Sequence, residues 1–245
     1  MALNYTKMKK LYIISFFIIS SFIGFSQINA GKIIFERRTN LEKQIIDGRM
    51  KNQVNENNKI RVELFDLYFN DTCSIFKPIV SDEADPLSWT TSKNTILQNF
   101  KSNEKLSELN ITGQLVYVKD KNQIRNWKIT QSKRTIANYE CYKSIWQKND
   151  STRIYAWFSL DIVPTVGPEG FDGLPGAILG LATEDGGIIY FAKSVEVINP
   201  KVEIFKINTG KKEVYSMEEL KTKIEKDFGN TPRVKRILYD LFRWM

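Results

Sequence analysis

Apolar residues recur at every second position over much of this chain, the spacing of strands with one buried face. Lys32 to Arg37 reads as a first strand, and residues 38–59 form a polar, asparagine-rich stretch without that period. Ile60 to Phe69 alternates clearly, and Thr72 to Val80 follows the turn signal Asn70-Asp71, so the two predict a hairpin. Residues 81–110 show no firm period.

From Gly113 the rhythm becomes regular. Gln114 to Lys119 and Gln123 to Ser132 flank Asp120-Lys121-Asn122; Ala137 to Gln147 and Thr152 to Leu160 flank Lys148-Asn149-Asp150-Ser151; Leu174 to Thr183 and Ile188 to Val197 flank Glu184-Asp185-Gly186-Gly187. Strands joined by compact turns, with no helix of crossover length between them, predict an antiparallel meander rather than a parallel α/β sheet.

The period then changes. Ser216-Met217-Glu218-Glu219 carries a capping box and opens a helix expected to run to Phe228 and stop at Gly229. After Pro232, Val234, Ile237, Leu238, Leu241 and Phe242 share one helical face, with Arg233, Lys235, Arg236 and Arg243 around it. This second segment reads either as a helix docked on the sheet or as a basic amphipathic tail for a membrane surface or a partner. The expected fold is mainly β: a curved antiparallel meander, or half-barrel, with two short C-terminal helices.

The N-terminus adds a compartment. Lys7, Lys9 and Lys10 precede an apolar run from Leu11 to Phe25, and Ser26-Gln27 opens a polar stretch. A basic start and a short apolar middle describe a signal peptide; a spanning helix needs about 20 apolar residues. Residues 1–26 are thus expected to be a cleaved leader and 27–245 one exported domain, placed in the periplasm or at the outer-membrane periphery.

Composition narrows the chemistry. Taking the leader's three lysines from 36 basic residues leaves 33 against 28 acidic, a net charge of +5 spread evenly along the chain. No concentrated basic patch supports nucleic-acid binding. Histidine is absent, which removes Ser-His-Asp and Cys-His catalysis and histidine-based zinc sites. Two cysteines do not complete a thiolate zinc site, and no nucleotide or calcium motif is present, so no metal or cofactor is assigned. In an oxidising compartment Cys73 and Cys141 either form a disulfide or remain two free thiols, and spacing leaves both open. Asp161, Glu169 and Asp172 are the carboxylates that bracket the glycine-rich segment, and a hydrolase would need two of them to converge with a raised pKa. No residue is assigned as catalytic on sequence alone.

That segment, Gly167-Pro168-Glu169-Gly170-Phe171-Asp172-Gly173-Leu174-Pro175-Gly176-Ala177-Ile178-Leu179, is the most distinctive in the chain. Proline fixes φ and glycine reaches positive φ, so it specifies one stiff path of backbone. Pro175-Gly176 suits the centre of a type II turn. One reading is a corner between strands; the other is a loop presenting backbone N–H groups and Phe171 to a peptide or an anionic group. In the strand Arg153 to Ser159, Tyr155 and Trp157 point to one face and Ile154, Ala156 and Phe158 to the other, so both faces must be covered. The C-terminal helices are expected to cover one face, and sheet curvature or an apolar ligand the other.

The Gly173-Leu174-Pro175-Gly176-Ala177-Ile178 motif resembles the one that gives the GLPGLI family its name, with Ala177 where a leucine is usual. Ile136-Ala137-Asn138-Tyr139-Glu140-Cys141-Tyr142-Lys143 and Arg153-Ile154-Tyr155-Ala156-Trp157-Phe158 are similar to the strands that precede the motif in that family. The resemblance implies an envelope protein of Bacteroidetes type, and no established activity comes with it. Residues and resemblance together lead to the expectation of a non-enzymatic exported protein. It binds a lipid or an extended peptide, or serves an outer-membrane complex, with Tyr155, Trp157, Phe171, Gly173, Leu174, Pro175 and Gly176 as binding residues. The alternatives are a carboxylate hydrolase and a structural interaction module.

Overall fold

The computed structural model describes residues 27–44, 54–80, 88–111, 113–149, 152–229, 231, 234 and 238. The expected leader, and most of the expected second C-terminal helix, lie outside the described residues. Among the described residues twelve strands form one sheet: β1 (Gly31–Asn40), β2 (Ile60–Phe69), β3 (Cys73–Pro78), β4 (Thr95–Asn99), β5 (Glu104–Ile111), β6 (Gln114–Lys121), β7 (Lys128–Ile136), β8 (Tyr139–Asn149), β9 (Thr152–Ser159), β10 (Ala177–Thr183), β11 (Ile188–Glu196) and β12 (Val214–Tyr215). A one-turn helix α1 (Leu41–Gln44) follows β1, and α2 (Met217–Phe228) follows β12.

The order across the sheet is β12-β6-β5-β4-β3-β2-β1-β11-β10-β9-β8-β7. The architecture is therefore two antiparallel meanders, β1 to β6 and β7 to β11, zipped together where β1 pairs with β11 from Lys32↔Glu196 to Thr39↔Ile188. Among these strand pairs only the two-residue pairing of β12 with β6 is parallel.

Connectivity forces this sheet to curl. Strands β6 and β7 lie ten strand steps apart, about 48 Å in a flat sheet. The residues joining them, 122–127, reach about 25 Å when fully extended. The two ends must therefore approach each other, and the chain crosses the mouth of an open, curled sheet. The expected half-barrel is what forms.

The inner face follows strand parity. On β1, Ile33, Phe35, Arg37 and Thr39 are buried, and on β2 Phe65, Leu67 and Phe69. Phe65 stacks on Phe76 at 4.9 Å, and Tyr190 meets both edge-on. Burying side chains of this size stabilises the fold by about 1.5–3 kcal/mol each. At the other end α2 sets Leu220 and Ile224 against Leu109 and Val118 of the same inner face, joined by Val234 and Leu238. Its capping box is present: the Ser216 side chain accepts from Glu219 N–H, and the Glu219 carboxylate accepts from Ser216 N–H. Val234 and Leu238 are helical and buried, as a docked segment requires.

Several expectations change. Strand β4 and all but the last residue of β5 fall within 81–110, where the sequence showed no period. Strand β7 begins at Lys128 rather than Gln123 and does not pair with β6 across Asp120-Lys121-Asn122 as the compact turn predicted, because residues 122–127 cross the curl and Arg125 is buried there. Ala137 and Asn138 leave the strand for a turn at positive φ. Leu174 to Gly176 belongs to the loop rather than to β10. Cys73 and Cys141 are free thiols, on strands with five others between them, so the disulfide does not form. Burial pushes the Cys141 thiol up to about 12, which makes it inert.

Candidate functional site: the glycine-rich loop inside the curled sheet

Cross-strand register lays two polar rows on the inner face. In the first, Glu63 stands opposite Arg37 and Arg37 opposite Tyr190, across β2, β1 and β11. In the second, Ser74, Gln98, Lys105 and Asp120 stand opposite one another across β3, β4, β5 and β6. Polar groups turned towards a core are costly unless they are paired. The glycine-rich loop supplies the partners.

On the first row, Pro168–Gly170 makes a single 3-10 turn that carries Glu169 to φ 55°, a backbone region that non-glycine residues seldom occupy. Its carboxylate accepts from the Tyr190 hydroxyl at 2.5 Å and lies 3.7 Å from the Arg37 guanidinium. Arg37 donates to Glu63 at 2.6 and 3.1 Å, and Thr91 donates to the same carboxylate. Glu169 is 1% exposed. Burial raises its pKa, against the pull of Arg37 and the Tyr190 hydrogen bond. Burial likewise pushes the Tyr190 hydroxyl well above its ordinary range. For Glu63 burial acts upward too, but the charge and hydrogen bonds of Arg37 outweigh it and the pKa falls.

On the second row, Gln98 Nε2 donates to Gly170 C=O at 3.2 Å and to Asp172 Oδ2 at 3.1 Å, while Ser74 donates to Gln98 Oε1. The 122–127 crossing closes over this point. Arg125 Nη1 meets Asp172 Oδ1 at 2.8 Å, and Trp127 Nε1 donates to Asp172 C=O at 2.9 Å. The Arg125 guanidinium lies 4.4 Å over the Phe171 ring and 5.4 Å from the Trp146 ring. Burial, then the Arg125 charge, lowers the Lys105 ammonium to about 8, and burial raises Asp172. Met217 N–H, at the start of α2, donates to Asp120.

The corner itself is closed by its own chain. Gly176 has φ 149°, and a Cβ there would lie 2.0 Å from Ser159 C=O. The absent side chain makes room for β9, not for a partner. In place of the expected type II turn, Leu174 C=O accepts from Gly176 N–H, and Ala177 N–H donates to Ile162 C=O.

The residues singled out from the sequence do not form one groove. Phe171 and Leu174 are buried in the curl, whereas Gly173 and Pro175 are exposed. Tyr155 and Trp157 lie on the opposite, outer face of β9. There Lys143 sits 4.4 Å over the Tyr155 ring and Arg134 4.6 Å over the Trp157 ring. That face is covered by the end of the β7–β8 hairpin rather than by α2: a Cβ on Gly180 would meet Ile136 and Trp157 at 3.0 and 3.2 Å. The inner face is covered by the loop and, towards β5 and β6, by α2. Of the three carboxylates, Asp161 is exposed, while Glu169 and Asp172 are held in separate rows by different cations. Arg37, Glu63, Gln98, Lys105, Arg125 and Tyr190 were not singled out. For Arg37 the signal was present, as a polar residue in the inward register of an apolar strand, Ile33-x-Phe35-x-Arg37.

No family model matches the chain, and no curated protein matches it. Among solved structures it is similar to PNGF-II in two crystal forms. With the P21 form the TM-score is 0.53 at 16% identity, over 77% of this chain and 31% of that one. With the C2 form the TM-score is 0.54 at 16% identity, over 86% and 33%. The chain thus spans about a third of PNGF-II, and the likeness is one of fold. An uncharacterized conserved protein from Thermus thermophilus aligns more loosely, with a TM-score of 0.40 at 9% identity over 76% of this chain and 90% of that one.

Proposed function

We propose that this chain is a non-enzymatic binding protein of the GLPGLI kind. It is exported to the periplasm or the outer-membrane periphery, and its ligand is an extended polypeptide rather than an enclosed apolar molecule. The observation that carries the reading is the filled interior. The concavity that would receive a lipid holds Phe171, Leu174 and Glu169 of the protein's own loop, all buried. Both polar rows are engaged by that loop and by the 122–127 crossing, so a ligand meets the outer surface or an open edge. A hydrolase reading draws on the raised pKa values of Glu169 and Asp172. The partners of these groups fix the loop, and Glu169 is sealed from substrate.

Native mass spectrometry and thermal-shift measurements against two fractions of the native envelope, extracted lipids and extracted peptides, test the proposal. A shift with peptides and none with lipids is expected. Binding confined to lipids, or hydrolysis of envelope substrates that Glu169→Gln abolishes in a folded variant, would replace it.

A further inference from the structure

Building on that reading, we infer that the partner adds to the sheet at β7 and that it is an acidic, extended polypeptide segment. Strand β7 ends the sheet, with β8 as its neighbour, whereas the far end is closed by the two-residue β12. Seven of its nine residues are exposed, so the edge is presented to solvent along almost its whole length. Its ladder with β8 shifts register between Ile129 and Lys133, and within that stretch Ser132 N–H donates to Thr130 Oγ1. An incoming strand pairs through the backbone groups that an end strand turns away from its neighbour.

Lysine and arginine on an edge strand ordinarily discourage pairing, because they project into the path of the newcomer. Here two of them are tied back. Arg134 lies over Trp157 and 5.7 Å from Phe191. Lys133 lies 4.5 Å from the Tyr142 ring and 2.9 Å from Glu140. On the neighbouring strand Lys143 lies over Tyr155. A cation stacked on a ring keeps its charge and loses its rotamer freedom, so an anionic group that meets it orders little further. Arg134 and Lys143 make no ion pair with a carboxylate among the described residues, so their charge is available. Ile124 and Ile129, 89% and 50% exposed, add apolar contact points where the edge begins. A solvent-exposed end strand with pinned cations and exposed isoleucines matches a strand that alternates acidic and apolar residues.

The test uses the whole exported chain and fluorescence anisotropy with two labelled probes as long as β7: an alternating Glu-Val peptide and its Lys-Val counterpart. Inorganic polyphosphate serves as a competitor. The Glu-Val probe is expected to bind, to weaken as salt rises, and to weaken at least about tenfold in two variants. One is the double charge reversal Arg134→Glu with Lys143→Glu. The other is Gln131→Pro, which removes a backbone N–H from the middle of β7; far-ultraviolet circular dichroism checks the folding of both. Equal binding of the two probes overturns the acidic partner. Loss on charge reversal with no change in Gln131→Pro overturns strand addition, as does displacement by polyphosphate as effective as unlabelled Glu-Val peptide. If neither probe binds while envelope peptides still shift the protein, this inference fails and the broader reading stands; if those peptides also fail, both fall.

Discussion

Replacing Gly176 by alanine tests whether the glycine–proline corner is built for packing. The new Cβ would lie 2.0 Å from Ser159 C=O and 2.9 Å from its carbonyl carbon, both backbone atoms at the end of β9. A carbon–oxygen contact needs more than about 3 Å, so β9 and β10 must separate by over about 1 Å where rigid side chains interlock. The φ of 149° adds a strain of about 1–3 kcal/mol for any residue with a side chain. The displacement endangers the Ala177 N–H to Ile162 C=O and Gly176 N–H to Leu174 C=O bonds, worth about 1 kcal/mol each. Together these predict a loss of about 4 kcal/mol or more, at the extreme of single substitutions. Gly173→Ala is the control. Its φ is 84°, but the nearest atom, Trp127 Nε1, is 3.6 Å away, so only the backbone strain of about 1–3 kcal/mol is expected. Urea unfolding followed through Trp127, Trp146 and Trp157 fluorescence measures both. A Gly176→Ala variant within about 1 kcal/mol of the parent, or no worse than Gly173→Ala, would refute the reasoning and return the glycine to a role outside the corner.

Three further outcomes follow from the polar rows and from α2. Lys105 is charged in both states below its folded pKa of about 8. Between there and the ordinary 10.5 the unfolded chain holds more protons, so stability rises with pH across that window. Lys105→Met is expected to remove this rise and to stabilise the protein at neutral pH by about 1–3 kcal/mol, checked by urea titrations from about pH 7 to 10; an unchanged slope would contradict it. Tyr190→Phe takes the hydroxyl donor from Glu169 and should cost about 1–3 kcal/mol. Because the folded pKa of Glu169 is raised, stability falls as pH rises above the unfolded carboxylate value, and that fall should extend to higher pH in the variant. Ser216→Ala removes the side-chain half of the α2 cap and should cost about 1 kcal/mol, with amide exchange quickening in the first turn of α2 and not in β8 or β9.

Where alternation was long and uninterrupted the sequence was legible. Ile60–Phe69 forms the strand its pattern predicts, and Ser216 to Gly229 the helix with its cap and stop. Strands β4 and β5 escaped because their inward positions include Gln98, Lys105 and Ser107, polar residues that erase the contrast between faces. The start of β7 was misplaced for a related reason: Arg125 reads as solvent-facing until Asp172, 47 residues later, is brought against it. The pattern of β9 requires cover for Tyr155 and Trp157, but residues on that face such as Ile136 and Arg134 come from a hairpin that precedes them.

Local periodicity, capping and turn chemistry act over a few residues, so the chain alone determined a β-rich domain, the β2–β3, β8–β9 and β10–β11 hairpins and a stiff corner at Gly167 to Gly176. Tertiary structure decided the pairing of β1 with β11, the curl imposed by a short crossing, and the use of the loop as filling for its own sheet. Each of these depends on residues far apart in sequence meeting in register. The sign of a buried charge's contribution depends on what it meets, and that is fixed only when the sheet closes on the loop.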